Sequence, residues 1–136
     1  VLSGGLHEIT LSIETASALS CCANELRSAF SNLLGNAVRY TPSGGRIDLR
    51  WRMHEGCGEF SVRDTGVGIA NHHLPRLTER FYRVDRSRSR DTGGTGLGLA
   101  IVKNVLSRHH ASLEIESTLG KGSCFIARFP SRCLLA

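Results

Sequence analysis

Long hydrophobic segments are missing from this sequence. No apolar run approaches the roughly 20 residues that a membrane-spanning helix needs. Residues 1–5 lack the basic and apolar regions of a signal peptide. The 136 residues are 40% hydrophobic and 21% charged, an ordinary composition for a soluble protein with one core. We therefore predict one soluble domain over residues 1–136, which leaves open a membrane-anchored parent protein.

Cysteine and histidine are present without the spacing that binds metal. The five cysteines include no Cys-x-x-Cys pair and their number is odd, so neither a zinc site nor a disulfide framework is indicated. The six histidines are scattered apart from two adjacent pairs. Reduced thiols in a cytosolic domain are the simplest interpretation.

Positive charge is concentrated in one segment. The formal net charge is +5, and residues 76–90 contain six arginines opposed there only by Glu79 and Asp85. Such a run attracts an anionic partner, whether a phosphate group, a nucleic acid or an acidic protein. A solvated loop is the alternative.

Hydrophobic periodicity predicts alternating strands and helices. Residues 7–14, 46–53 and 59–64 alternate apolar and polar side chains, with a hairpin turn over 54–58. Helical spacing runs from an N-cap at Asn24 to Tyr40, and again from Leu97. A short helix is predicted over 72–79, two final strands over 113–115 and 125–129, and a frayed tail after Pro130. This order predicts an α+β fold, a two-layer sandwich with a mixed or antiparallel sheet.

Two asparagines share one face of the first predicted helix, because Asn32 and Asn36 lie four residues apart. Amide oxygens suit Mg²⁺, which takes a few protein oxygens and otherwise keeps waters and phosphates. A pair of surface asparagines on an amphipathic helix is the alternative, and this pattern alone favours that alternative.

A short acidic and glycine-rich segment, 64–68, follows a predicted strand. The Asp64 carboxylate can accept a hydrogen bond from an exocyclic amine such as that of adenine. Gly66 and Gly68 let the backbone approach a flat ligand closely. The alternative is an ordinary turn that ends the strand.

A second glycine-rich segment, 93–99, leads into the second long helix. Unhindered amides and the positive end of a helix make a cradle for phosphate, and a flexible hinge is the alternative. The segment matches neither a Walker A loop nor a dinucleotide fingerprint. Together these features indicate a nucleotide site. They supply amide oxygens for a metal, a carboxylate for a base and a cradle for phosphates, and the arginine-rich segment lies just before the cradle.

These motifs resemble, in order, the four boxes of bacterial sensor histidine kinases. The N box corresponds to Asn32–Ala37, the G1 box to Asp64–Ile69, the F box to Phe81–Arg83 and the G2 box to Gly94–Leu99. The resemblance to the catalytic ATP-binding domain of this family covers residues 7–130. Residues 76–85 and 87–90 are similar to the phosphate-regulon branch of the family.

The resemblance implies a Bergerat (GHKL) fold, with a mixed sheet, helices on one face and a mobile ATP lid at about 80–95. It implies ATP and Mg²⁺ as cofactors, with Asn36 as a metal ligand. It implies that Asn32 and Arg83 are the catalytic residues, with Asn32 lining the metal site and Arg83 contacting the γ-phosphate. The implied ATP-binding positions are Asn32, Asn36, Arg39, Tyr40, Asp64, Gly66, Gly68, Ile69, Phe81, Tyr82, Arg83, Gly94, Thr95, Gly96, Leu97, Gly98, Leu99 and Ser123, the last through a hydroxyl that supports Asp64.

The family also implies partners outside this chain. Its phosphoacceptor histidine lies in a separate helical dimerisation domain, and His7 lacks the proline that the acceptor motif requires. We expect a monomeric cytoplasmic domain of an inner-membrane sensor protein, a PhoB-like response regulator as the next acceptor, and no direct DNA binding. The open alternatives are a related protein-serine kinase of the anti-sigma-factor type and a nucleic-acid-binding module that uses the arginines of 76–90.

Overall fold

The described part of the chain contains seven strands, two α-helices and one 3-10 helix. The computed structural model describes residues 8–13, 18–19, 23–79, 98–130 and 134–135. In chain order the elements are β1 (Glu8–Ile13), β2 (Ala18–Leu19), α1 (Ala23–Tyr40), β3 (Arg46–His54), β4 (Cys57–Asp64), the 3-10 helix (Asn71–Arg76), α2 (Gly98–Arg108), β5 (Ser112–Thr118), β6 (Gly122–Phe129) and β7 (Leu134–Leu135).

Five of the strands form one mixed sheet in the order β1-β3-β4-β6-β5. β1 runs parallel to β3, whereas the other neighbouring pairs are antiparallel. The predicted mixed sheet is therefore confirmed. β2 and β7 form a separate antiparallel pair, which the predicted frayed tail after Pro130 did not anticipate.

The helices pack on one face of this sheet. The apolar side of α1 contributes Leu26, Ala29 and Leu33 to the core, and α2 contributes Val102 and Leu106. Phe30 of α1 stacks on Phe60 of β4 at 4.1 Å between ring centroids, and lies edge-on to Phe129 of β6. Burial of these side chains stabilises the two-layer arrangement that holds α1 against the sheet.

The other face of the sheet is polar. Its most buried member is Glu59 of β4, which is only 2% exposed. Arg128 Nε lies 2.8 Å from one oxygen of this carboxylate, and Arg52 Nη2 lies 3.2 Å from the other. Burial favours the neutral acid, but the two guanidinium groups outweigh it and lower the pKa of Glu59. This cross-strand network joins β3, β4 and β6 on the side away from the helices.

The limits of three secondary-structure elements differ from those predicted from the sequence. Asn24 is the second residue of α1 and not its N-cap, because the helix begins at Ala23. The β3–β4 turn shrinks to Glu55 and Gly56, whose φ angles of 52° and 79° are typical of a two-residue hairpin. The short helix over 72–79 is a 3-10 helix at Asn71–Arg76, which contains Pro75.

Candidate functional site

The candidate metal-binding asparagines lie on α1, one turn apart. Asn36 is 7% exposed, and Asn32 is half-buried. The Asn32 Nδ2 group donates to the carbonyl of Ser28 at 2.9 Å, which fixes the orientation of this amide. Its Oδ1 lies 3.1 Å from the position that a Cβ atom on Gly98 would occupy. The amide oxygen of Asn32 is therefore directed at the first residue of α2.

This donor set fits Mg²⁺. Both asparagines supply neutral oxygens from a rigid helix, and neither brings the negative charge that a closed protein cage for the ion would use. Mg²⁺ binds readily through one or two protein oxygens when waters and substrate phosphates complete its shell. When bound there, the ion would neutralise phosphate charge, and α1 would supply the orientation.

The candidate base-binding group is Asp64, the last residue of β4. The residue is 5% exposed, and its side chain faces the helix layer. The backbone N–H of Gly66 donates to Asp64 Oδ1 at 2.9 Å, and the amide of Ser123 also donates to this carboxyl group. Burial raises the pKa of Asp64, although the two amides oppose the shift. The result is a buried acceptor with two donors already in place and lone pairs left for a third.

The loop after Asp64 is fastened to three other elements. The N–H of Val67 donates to the carbonyl of Tyr40 at the end of α1, at 3.1 Å. The carbonyl of Val67 accepts from Gly120 in the β5–β6 turn, at 2.7 Å. The N–H of Ile69 donates to Ser117 Oγ of β5, at 2.7 Å. The loop is thus held in one conformation between α1 and the β5–β6 hairpin.

Two glycines of this loop are required by close packing. A Cβ atom on Gly66 would lie 2.2 Å from the Tyr40 carbonyl oxygen, and one on Gly68 would lie 2.1 Å from the Thr118 oxygen. Gly68 also has a φ of +74°, a conformation that L side chains rarely adopt. Glycine at these positions therefore lets the loop pack directly on backbone.

Ser123 supports Asp64 through its backbone amide. The sequence-based expectation assigned that support to its hydroxyl group. In the structure the Ser123 hydroxyl lies 2.8 Å from Ser117 Oγ. Ser117 also contacts Ile69 in the loop that follows Asp64, yet the sequence reasoning did not identify it. A single serine within a strand forms no recognisable sequence pattern. Its partner in the loop, Ile69, is 48 residues away in the sequence.

The comparisons with known proteins agree with this geometry. Residues 22–132 match the family model described as histidine kinase-, DNA gyrase B-, and HSP90-like ATPase. The chain belongs to this ATPase family. Its mixed sheet with helices on one face is the Bergerat fold, as the sequence resemblance implied.

Relatives of this ATPase domain include sensor histidine kinases. The phosphate regulon sensor protein PhoR of Pseudomonas aeruginosa is 58% identical over 127 residues, which is 93% of this chain and 29% of that protein. PhoR of Haemophilus influenzae is 46% identical over 130 residues, or 96% of this chain and 31% of that protein. The chain thus spans less than a third of the length of these curated relatives.

Solved structures of sensor histidine kinases are also similar to this chain. The mycobacterial sensor histidine kinase MprB has a TM-score of 0.79 at 29% identity, covering 91% of this chain and 83% of that one. Full-length ShkA in complex with AMPPNP has a TM-score of 0.78 at 31% identity, covering 94% of this chain and 26% of that one.

Within the described ranges, no helix of this ATPase domain is long and apolar enough to cross a bilayer.

Several predicted site residues of the ATPase domain come together in the structure. Arg39 and Tyr40 are half-buried at the end of α1, and the Tyr40 carbonyl accepts a hydrogen bond from the Asp64 loop. Ile69 is buried where that loop meets β5. Gly98 and Leu99 begin α2. The predicted lid and seven predicted site residues lie outside the described residues, namely Phe81, Tyr82, Arg83, Gly94, Thr95, Gly96 and Leu97.

Proposed function

We propose that this chain is the ATP-binding kinase domain of a two-component sensor histidine kinase that acts in phosphate-starvation signalling. The observation that carries the proposal is the buried Asp64 carboxyl group, held by two backbone amides beside the helix that bears Asn32 and Asn36. The 58% identity to PhoR of P. aeruginosa supports the phosphate-regulon branch.

The proposed site divides into a base end and a phosphate end. At the base end, Asp64 accepts a hydrogen bond from the adenine amine, and Tyr40 borders the adenosine. At the phosphate end, Asn36 binds Mg²⁺ with Asn32 lining the metal site, and Arg39 reaches the phosphates. Arg83, the F-box residues and the glycine cradle, which includes Gly98 and Leu99 at the start of α2, complete the site according to the family resemblance.

The proposed reaction transfers the γ-phosphoryl group of ATP to a ring nitrogen of histidine, and ADP leaves. This phosphohistidine then supplies a response-regulator aspartate of the PhoB type. We place the acceptor histidine in the dimerisation domain of the parent protein. We place the domain itself, monomeric over 1–136, on the cytoplasmic side of a membrane-anchored sensor.

Water is expected to be a poor acceptor in this site. Asn32 occupies the position where hydrolysing members of the wider family carry a glutamate that activates water. An amide cannot take a proton as a general base. The domain should therefore bind ATP and release inorganic phosphate only very slowly when no acceptor histidine is supplied.

The proposal is tested in two steps with the 136-residue chain. Calorimetric titration first measures binding of MgATP. The chain is then mixed with radiolabelled ATP and a separately produced dimerisation domain of a PhoR relative, or with the same domain carrying a His→Gln change at its acceptor. Label that appears only on the histidine-containing domain supports the proposal. Binding without transfer to any histidine domain would assign the chain to another branch of the ATPase family, and a folded chain that binds no ATP would refute the nucleotide site.

A further inference from the structure

A row of polar side chains crosses the apolar inner face of the sheet at one end. Ser117 of β5 is the register partner of Ser123 of β6, and Ser123 is the register partner of Asp64 of β4. Further along the same face of β6 lie Phe125, Ala127 and Phe129, all buried and apolar. The three polar residues therefore form a separate hydrogen-bonding unit beneath the proposed base end of the site.

The protons in this unit can be assigned by counting donors. A serine hydroxyl has one proton and two lone pairs. Ser117 Oγ donates to the carbonyl of Gly122 at 3.0 Å and accepts the N–H of Ile69 at 2.7 Å. Its remaining contact is Ser123 Oγ at 2.8 Å. The arrangement that satisfies all three contacts has Ser117 donating to Gly122 and Ser123 donating to Ser117.

This assignment fixes what Ser123 can offer to a ligand. In the arrangement that satisfies all three contacts, its hydroxyl proton points at Ser117 and its oxygen has only lone pairs left. Its backbone N–H is committed to the Asp64 carboxyl group. The corner formed by Asp64 and Ser123 therefore contains acceptors for a hydrogen-bond donor and no free donor for a carbonyl group.

We infer that Ser117 is a positioning residue that sets the base selectivity of the site, by holding the Ser123 hydroxyl as an acceptor and the 65–69 loop in place. The inference deepens the proposed ATP-binding function and rests on it. An acceptor-only corner recognises a purine with an exocyclic amine. It disfavours a purine with a carbonyl oxygen at the same ring position, because that oxygen would face the Asp64 and Ser123 oxygens.

Removal of the Ser117 hydroxyl changes this selectivity in a defined direction. In Ser117→Ala the proton of Ser123 has no partner on β5 and can rotate toward the ligand or toward Asp64. A carbonyl-bearing base then gains a donor, and an amine-bearing base loses an acceptor. The amide of Ile69 loses its partner in the same variant, which weakens binding of both bases equally.

The experiment compares ATP with inosine triphosphate, which carries a carbonyl oxygen in place of the adenine amine. Calorimetry with Mg²⁺ measures both Kd values for the wild-type chain, Ser117→Ala, Ser117→Thr and the control Ser112→Ala. Ser112 is an exposed serine at the start of the same strand. We expect Ser117→Ala to narrow the preference for ATP by about tenfold, the size of one hydrogen bond. The Thr variant and the control should keep the wild-type preference.

A double-mutant cycle separates redirection of the proton from general damage. In a Ser123→Ala background no hydroxyl remains to turn, so adding Ser117→Ala should leave the ratio of the two Kd values unchanged. Ser117→Cys, whose thiol hydrogen-bonds weakly, serves if the alanine variant does not fold. An unchanged ratio in Ser117→Ala, or an equal change in the Ser123→Ala background, would overturn the inference. Failure of the wild-type chain to bind ATP would instead refute the proposed function, and this inference with it.

Discussion

Replacement of Asp64 by asparagine should separate ligand binding from stability. The change keeps the shape of the side chain and an acceptor oxygen for the amide of Gly66. It places an NH₂ group where the carboxylate faces the ligand, so an adenine amine would meet a donor instead of an acceptor. A hydrogen bond to a charged group contributes about 1.5–3 kcal/mol, which corresponds to roughly ten- to 150-fold in Kd. We therefore expect ATP affinity to fall by that factor.

The same substitution should raise the free energy of unfolding or leave it unchanged. Because burial raises the pKa of Asp64 in the folded state, its ionised form destabilises the folded protein at neutral pH. That penalty is present above the folded-state pKa and disappears as the pH falls below it, and the neutral amide removes it at every pH. In the wild-type chain, ATP affinity should decline on acidification at a higher pH than an ordinary aspartate would give, whereas Asp64→Asn should lack this dependence.

The assay pairs calorimetric titration of MgATP with urea denaturation of the ligand-free chain, at several pH values. Asp48→Asn is the matched control, because Asp48 lies on the polar face of the sheet with its side chain 38% exposed. This control should leave ATP affinity unchanged. Equal affinity for ATP in the wild-type and Asp64→Asn chains would refute the assignment of the base end. A large loss of stability in Asp64→Asn would refute the account of its raised pKa.

Three further outcomes are expected. Glu59→Gln should lower the free energy of unfolding at pH 7 by about 1–2 kcal/mol, a modest loss because the arginine partners are partly exposed and screened. The pKa of Glu59 is lowered in the folded chain, so the stabilisation is lost as the pH falls below 4.5. The difference in urea midpoint between the wild-type and variant chains should therefore shrink over that range. Gly68→Ala should destabilise the chain much more than Gly56→Ala. Both glycines have a positive φ, but only at Gly68 would the added Cβ collide with backbone atoms. Gly56→Ala should lower the free energy of unfolding by about 1 kcal/mol and retain ATP binding in thermal-shift titrations. Asn36→Ala should weaken binding of MgATP more than binding of ATP in EDTA, and equal losses would contradict its role as a metal ligand.

The main secondary structure could be predicted because its signals are local. The alternation from Arg46 to Met53 identified β3, and the helical spacing up to Tyr40 identified α1. The pair formed by β2 and β7 could not be predicted, since strands of two residues have no period to detect. The parallel direction of β1 and β3 depends on the chain path between them, and alternation within each strand does not encode it.

The candidate site could be predicted only as a set of motif residues. Asn36 and Asp64 stood out because their residue types and neighbours match a known pattern, and the structure finds both buried. Ser117 was missed because its importance comes from contacts with Ile69 and Ser123 that form only in the folded chain. The alternation over residues 59–64 marks Glu59 only as a polar position, and its burial comes from the approach of two arginines on neighbouring strands.

The position of α1 has a consequence for the length of ligand that the site accepts. The helix carries Asn32 and Asn36, and its last carbonyl, that of Tyr40, holds the loop that follows Asp64. Asn32 and Tyr40 are two turns apart, or about 12 Å along a rigid rod. Under the proposed roles, this rod sets the spacing between the base and the metal-bound phosphates before any ligand arrives. A nucleotide analogue with a longer link between base and phosphates should therefore engage one end of the site at a time.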